Sequence, residues 1–518
     1  MKNLFNTVQL TRPKRNVFDL THDVKQSGKM GQLIPTLALE CVPGDKFTLG
    51  CDSLMRLAPM LAPIMHRVDF SMHYFFVPNR VLWDGWEPFI VNDPDDPRVS
   101  PYTQIDGTES PAIKKYLDYF GVPPMPVGGV PTKLSMFPFA AYNLIYNEFY
   151  RDQNLVDELT YKLEDGLIGA PWNANDFKCQ NRAYEHDYFT AALPFAQKGT
   201  AVDIPLGDVI LKTDWSESGR PYFQPDGPLE NNINNNLRQA NQGTTSGIIY
   251  QDGGDEPDLA YNPDGTLSVT PTTINDLRTA FRLQEWLERN ARAGTRYTES
   301  IRAHFDVKSQ DSRLQRPEYI TGVKSAVTIS EVLNTTGTDD APQGDMAGHG
   351  ASVTSGKSGS YYCQEHGYII GIMSVLPRTA YQQGIPKHFL KEDFLEYFWP
   401  SFAHLGEQPI QNQEIYAYNS ANGGPKGTFG YIPRYAEYKY LPSRVAGDFR
   451  TTLSYWHLGR IFGNMPQLNK TFIECDGTDI NNALRIFAVQ DGTDYLWMHL
   501  LHRIKAVRPM PYYGTPLL

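Results

Sequence analysis

The chain has 518 residues, 41% hydrophobic and 20% charged, which is enough apolar material for a sizeable core and too little charge for a disordered polymer. Its net charge of −11 argues against a protein that coats nucleic acid with its whole surface. No stretch approaches the roughly 20 consecutive apolar residues needed to cross a bilayer. Five scattered cysteines (Cys41, Cys51, Cys179, Cys363, Cys475) form no C-x-x-C pair and read as free, mostly buried thiols.

Aromatic residues make up 12% of the chain, beside 38 Pro and 42 Gly, so the text predicts many short strands joined by turns. Residues 1–29 lack an apolar period and read as an extended arm. The arm holds Lys2, Arg12, Lys14, Arg15, Lys25 and Lys29 against only Asp19 and Asp23. Strand text begins at about Leu33. Leu37, Leu39 and Cys41 alternate with Ala38 and Glu40, and Val42-Pro43-Gly44-Asp45 then carries a type II turn signal. The next strand runs from Val68 to Val77, with Phe70, Met72, Tyr74 and Phe76 on one face, and Pro78-Asn79 ends it.

A short helix is expected at 139–151 and a long one from about Ile274 to Ala293. Thr273 and Asp276 give the long helix a capping box, and Gly294 stops it. Between them, half of residues 219–265 are Gly, Pro, Asn or Asp, with no Lys, which predicts an exposed insertion. Val323–Ile329 and Tyr368–Val375 read as strands, the latter central because it is nearly continuously apolar. Residues 337–360 are Gly-rich and read as a flexible surface loop. The closing stretch 495–518 holds Arg503, Lys505 and Arg508 with no acid. Basic ends on an acidic body suit a subunit whose termini face a polyanion.

Several chemical signals are weak on inspection. Ala351-Ser-Val-Thr-Ser-Gly356-Lys357-Ser358 fits a relaxed phosphate-loop pattern, but the text after it reads as strand, and that motif needs a helix. His499 and His502 sit three apart without a third ligand close in sequence, so they read as core-edge or interface residues. Asp93-Pro-Asp95-Asp96-Pro reads as a solvated turn. The cluster Phe75, Phe76, Trp83 and Trp86 is not interleaved with cations, and reads as core plus subunit contact. Pro509, Pro511 and Pro516 keep the tail with Tyr512 and Tyr513 extended, suited to lying across a neighbour. Nothing marks a catalytic site, a cofactor or a metal. The rival classes are a β-sandwich carbohydrate-active enzyme and a host-binding adhesin.

Longer segments resemble the major capsid proteins of gokushovirus-type microviruses, small bacteriophages with circular single-stranded DNA. They include Phe18-Asp-Leu-Thr-His22, Phe75-Phe-Val-Pro-Asn-Arg80, Asn147-Glu-Phe-Tyr-Arg-Asp-Gln-Asn-Leu155 and His186-Asp-Tyr-Phe-Thr-Ala-Ala-Leu-Pro194. Tyr440-Leu-Pro-Ser-Arg-Val445 and Arg508-Pro-Met-Pro-Tyr-Tyr-Gly514 continue the likeness, which is collinear over nearly the whole chain and lapses over 219–265 and 337–360. The resemblance implies an eight-stranded antiparallel jelly roll over 30–518 with long insertions and a few short helices. It implies a T=1 icosahedral shell of this chain in the virion, assembled in the host bacterial cytoplasm. It also implies as partners an internal scaffolding protein, a DNA pilot protein and a small basic DNA-binding protein. Under it, Lys2, Arg12, Lys14, Arg15, Arg503, Lys505 and Arg508 are expected to face packaged DNA. Phe75, Phe76, Trp83, Trp86, Tyr512 and Tyr513 are expected at subunit contacts, and 219–265 at the three-fold protrusion toward a host receptor.

Overall fold

The computed structural model describes residues 14–513 except 129, 169–175, 201, 203–235, 240–247, 252–272, 295, 334–345, 357, 419–423 and 489. In chain order the strands are β1 (Asn16–Asp19), β2 (His22–Gly28), β3 (Ile34–Cys41), β4 (Lys46–Leu57), β5 (Val68–Pro78), β6 (Tyr102–Ile105), β7 (Thr132–Ser135), β8 (Asn236–Gln239), β9 (Ile248–Gln251), β10 (Glu318–Ala326), β11 (Thr328–Leu333), β12 (Met346–Ser355), β13 (Gly359–Tyr362), β14 (Gly367–Pro377), β15 (Glu407–Gln411), β16 (Thr428–Pro433) and β17 (Leu496–Arg508). Their named pairings are antiparallel throughout, and the helices are few and mostly short. The expected mostly-β jelly-roll class is borne out.

The chain divides into two compact units, one of residues 1–198 and 288–518, the other of 199–287. The first contains both large sheets. One is four-stranded, in the order β10-β5-β14-β3; the other has seven segments, β1-β17-β4-β12-β11, with β2 also beside β17 and β13 also beside β4. β1 and β2 take successive stretches of β17, and β12 and β13 successive stretches of β4, so the seven segments fill five lanes.

Alternation explains the packing between the sheets. Phe47, Leu49, Met55 and Leu57 of β4 and Leu496, Met498, Leu500 and Ile504 of β17 point inward. They meet Ile34 and Leu37 of β3, Phe70, Met72, Tyr74 and Phe76 of β5, and Ile369 and Met373 of β14. The other face of the four-stranded sheet is covered as well. Phe75, Val77, Ile370 and Ile372 share a second core with the helix Phe137–Ile145. That helix is apolar nearly all round because it is buried all round. It continues as a π-helical turn, Tyr146–Tyr150, so the short helix expected at 139–151 is present. Asn143 and Asn147 donate to the carbonyls of Thr160 and Leu159, both at 2.8 Å, and pin the following loop to it.

The strands read at Leu33–Cys41, Val68–Val77 and Tyr368–Val375 are present as β3, β5 and β14. Gly44 has φ +93°, and Asp45 N–H bonds to Val42 C=O at 3.1 Å, as the type II turn requires. The long helix spans Ile274–Ala293, with Thr273 and Asp276 exchanging hydrogen bonds at its start and Gly294 at φ +98° at its end.

Three expectations need correction. The arm, read as extended and apart from the jelly roll of 30–518, is extended over β1 and β2 but belongs to the sheet, because β1 and β2 are an edge lane on β17. An edge strand only has to satisfy its neighbour's backbone, so it shows no apolar period of its own. The Gly-rich stretch 337–360 contains β12 and the start of β13, not simply a loop. Its glycines are there for close approach: a Cβ on Gly350 would lie 2.3 Å from Leu57, and one on Gly359 would lie 2.5 Å from Thr321. Finally, the strand expected across Val323–Ile329 breaks at Val327. β10 pairs with β5 in one sheet and β11 with β12 in the other, which turns the corner of the sandwich. Of the insertion 219–265 only β8 and β9, paired with each other, are described; the rest lies outside the described residues.

Candidate assembly and genome-facing surfaces

Among the described residues, one face of the seven-segment sheet is uncovered. Side chains alternate along β4 and β17, so Lys46, Asp52, Leu54 and Arg56 share this face with Trp497, His499, Arg503 and Lys505. β2 adds Asp23 and Lys25, and β1 adds Asp19. Five basic side chains (Lys25, Lys46, Arg56, Arg503, Lys505) therefore stand against three carboxylates (Asp19, Asp23, Asp52). Arg503 pairs with Asp52 at 3.0 Å, and His499 lies 3.3 Å from Asp23. Thr21 hydrogen bonds hold the Asp19 carboxyl below its usual range, with a smaller contribution from Lys505. Trp497 lies opposite Arg56 in register and is half exposed. Arg15 lies 5.7 Å from the Tyr362 ring centroid at the other end of the face. A groove of about 800 Å³ opens beside β2, bordered by Lys25, Arg56, Lys115, Tyr119, Trp497 and His499.

The basic residues singled out in the sequence do not form one surface. Lys2 and Arg12 lie outside the described residues. Lys14, Arg15 and Lys505 are exposed. Arg503 is half-buried and also bonds to Gly356 C=O at 2.8 Å. Arg508 turns to the opposite side of β17, over Phe47, and its guanidinium is tied to the fully buried Asp45 at 2.9 Å and to Glu40 C=O at 2.8 Å. Its role is to neutralise a buried carboxylate at the β3–β4 turn.

The aromatic candidates divide in the same way. Phe75, Phe76 and Trp83 are core residues with 1–2% exposure, so they have no surface to offer a neighbour. Trp83 donates to Asp165 at 2.9 Å, and Trp86, half-buried, packs edge-on against Phe137. Their run of sequence joins β5 to the helical layer. Tyr512 and Tyr513 are exposed, with Tyr512 stacked on Phe18 at 5.7 Å.

Sequence reasoning missed a second surface, the strip from Phe389 to Leu405, where large apolar side chains lie exposed on short turns of helix. Its signal was a dense run of Phe, Tyr, Trp and Leu with neither a helical nor a strand period. Beside the strip is a cleft of about 390 Å³ walled by Tyr188, Phe189, Tyr381 and Tyr440. Its carboxylates are held in structural pairs. Glu414 lies 3.3 Å from Lys387 and accepts from the Tyr188 hydroxyl at 2.9 Å, while Glu437 lies 3.1 Å from Lys391. Burial raises the Glu414 carboxyl above its usual range despite Lys387.

The weaker chemical signals resolve simply. Ala351–Ser355 lies on β12 with no helix after it, the wrong frame for a phosphate loop. His499 and His502 are three apart on a strand, so they face opposite ways. His502 is fully buried and bonded to Tyr74 at 2.7 Å. No cluster of potential metal ligands occurs among the described residues. The cysteines are free; burial pushes the Cys51 thiol up to about 11 and the Cys475 thiol to about 12, which leaves both protonated.

Comparison with known proteins identifies what this sandwich belongs to. The family of phage capsid proteins described as "Capsid protein (F protein)" matches residues 6–518. A capsid protein VP1 of Bdellovibrio phage phiMH2K is 37% identical, over 99% of this chain and 97% of that protein. One from Chlamydia phage 1 is 34% identical, over 100% and 98%. One from Spiroplasma virus 4 is 27% identical, over 97% and 95%. The chain belongs to the phage capsid protein (F protein) family. It is a structural virion subunit and not an enzyme, and the expected kinship with gokushovirus-type capsid proteins is borne out.

Proposed function

We propose that, as a capsid protein of this family, the chain closes with further copies of itself into a T=1 icosahedral shell around a single-stranded DNA genome, with the open face of the seven-segment sheet as the inner wall. The observation that carries this reading is the make-up of that face. It combines an excess of cations with a half-exposed Trp497, and both basic ends of the chain lead onto it as β1 and β17. Cations that track a backbone and aromatic rings on which bases stack are what binding of single strands without sequence preference requires. Lys14, Arg15 and Lys505 are the side chains proposed to touch phosphate, together with Lys2 and Arg12 upstream; Arg503 contributes charge to the face. Arg508 is withdrawn from this set because Asp45 already occupies it.

The same reading places assembly in the host bacterial cytoplasm. It assigns the insertion 219–265 to receptor contact, and an internal scaffolding protein, a pilot protein and a small basic DNA-binding protein to the list of partners. The test is the purified product. Micrographs are expected to show uniform particles whose nucleic acid is nuclease-protected and single-stranded. Neutralising Lys14, Arg15 and Lys505 together is expected to lower the salt concentration at which DNA escapes, since each lost phosphate contact removes about 0.7 from the logarithmic salt slope. A product that stays monomeric and holds no DNA contradicts the proposal.

A further inference from the structure

We infer that the exposed strip around Phe389–Leu405 is a contact between copies of this chain, and one of the principal apolar contacts of the shell. The inference rests on the capsid reading and goes further by naming the surface.

The strip is large for a monomer. Phe389 and Phe394 are 70% and 68% exposed, and Tyr397, Phe398, Trp399 and Tyr438 lie between 48% and 55%. An aromatic side chain has about 150–250 Å² to bury, so six rings at this exposure present roughly 600 Å². That is at or above the largest apolar patch of an ordinary monomer, about 300–600 Å², and near the ~800 Å² that each partner contributes to a standard interface.

The strip is also built rather than loose. Phe398 packs on Tyr435 at 5.1 Å and on Tyr438 at 6.2 Å. Lys391 sits 4.1 Å from the Tyr438 ring centroid and 5.3 Å from that of Tyr397, and donates to the Tyr438 hydroxyl at 2.9 Å. Trp399 donates to Phe394 C=O at 2.9 Å. Rings held in place before association lose little entropy on docking, which is the pattern of interface anchors.

Charge selects the partner. The Lys391 side chain is 3% exposed and paired with Glu437, and Lys387 is paired with Glu414, so these two cations are already neutralised, while Arg434 lies over the Tyr435 ring at 5.0 Å and bonds to Leu395 C=O. Glu392 and Asp393 are exposed and Glu396 half-buried between the rings in sequence, with Glu392 paired to Lys426 at 2.8 Å. Exposed rings among carboxylates and paired cations suit a protein surface and disfavour a nucleic acid. A subunit that must close a shell with copies of itself supplies that surface on its neighbour.

The experiment pairs the variants Phe389→Ser and Phe394→Ser in one chain and measures particle yield by sedimentation beside the unaltered protein. Expected are unchanged circular dichroism and thermal midpoint of the unassembled chain, with particle yield down at least tenfold. Oxidative footprinting is expected to modify Phe394 and Trp399 in the unassembled chain and at least tenfold more slowly in particles. Particles at normal yield, or equal oxidation in both states, overturn the inference. So does a lowered thermal midpoint of the unassembled chain, which means that the strip packs within its own chain. If the unaltered protein forms no particles, the capsid reading itself fails, and that outcome is distinct from these.

Discussion

The two large sheets use the same backbone pairing for opposite purposes. β5 and β14, at the centre of the four-stranded sheet, have no exposed residue, because the second sheet lies on one side and the helical layer on the other. β4 and β17, at the centre of the seven-segment sheet, alternate buried and accessible residues, because only one side is covered. Double coverage gives rigidity but obliges every polar group on the covered face to find a partner. Ser71 meets Ser374 at 3.0 Å, His73 meets Tyr150 at 2.7 Å, and Asp69 meets Arg378 at 3.0 Å. Burial pushes the Asp69 carboxyl up, yet Lys324, Arg378 and Arg67 outweigh it and hold it below its usual range. The single-sided sheet is free to spend its outer face on charge and exposed rings. One sheet is scaffold and the other is surface.

This contrast makes graded predictions. The largest effect is expected at Phe75, which faces the helical layer: Phe75→Ala should cost about 3–5 kcal/mol in a denaturant titration of the unassembled chain. Trp497→Ala, on the open face, should cost far less. Equal losses at the two sites erase the distinction between the sheets. Next comes Arg508→Ala, which strands the buried Asp45 without its cation. A loss of roughly 2–4 kcal/mol is expected, somewhat under the range for a fully buried pair because Arg508 is partly exposed. A loss under 0.5 kcal/mol would mean that Arg508 is a surface cation after all.

A pH effect follows from His502, which burial lowers to about 4. The unfolded chain takes up this proton near pH 6.5 and the folded one only near 4, so the unfolded state holds more protons between those values. Stability is complete above about pH 6.5 and falls as pH drops toward 4, by up to roughly 3 kcal/mol from this ring. His66 and His73, lowered to about 4 mainly by burial, act in the same direction. His502→Asn should flatten the thermal midpoint between pH 7 and 5 relative to the unaltered chain, whereas a parallel decline of both assigns the effect elsewhere. The smallest stability change is expected at Lys505→Ala, within about 0.5 kcal/mol, while salt resistance of the packaged DNA declines. A large stability loss there would place Lys505 in the scaffold.

Elements governed by neighbours in sequence were legible. The Pro43-Gly44 turn, the Thr273 cap and the alternation of β3 and β5 can each be read locally. What escaped depends on a distant partner. The edge lane β1–β2 has no pattern because β17 alone gives it one, and Gly350 reads as loop until Leu57 is placed against it. Arg508 and Lys505 look alike in sequence, yet they fall on opposite sides of one strand. Phe75 and Phe389 are both aromatic, but only the layer over β5 decides that the first is core. The basic ends and the collinear family segments are legible in the sequence; the strip at 389–405 is apolar text without a period, and only its exposure in the fold marks it as a surface.

The claim beneath all of this is that copies of the sandwich form a closed wall with the face of β4 and β17 turned inward. Electron cryomicroscopy of purified particles tests it directly. The prediction is an icosahedral shell in which Trp497 and Lys505 line the inner surface against genome density. A shell that turns those two residues to the outside solvent, or a preparation with no shell, contradicts it.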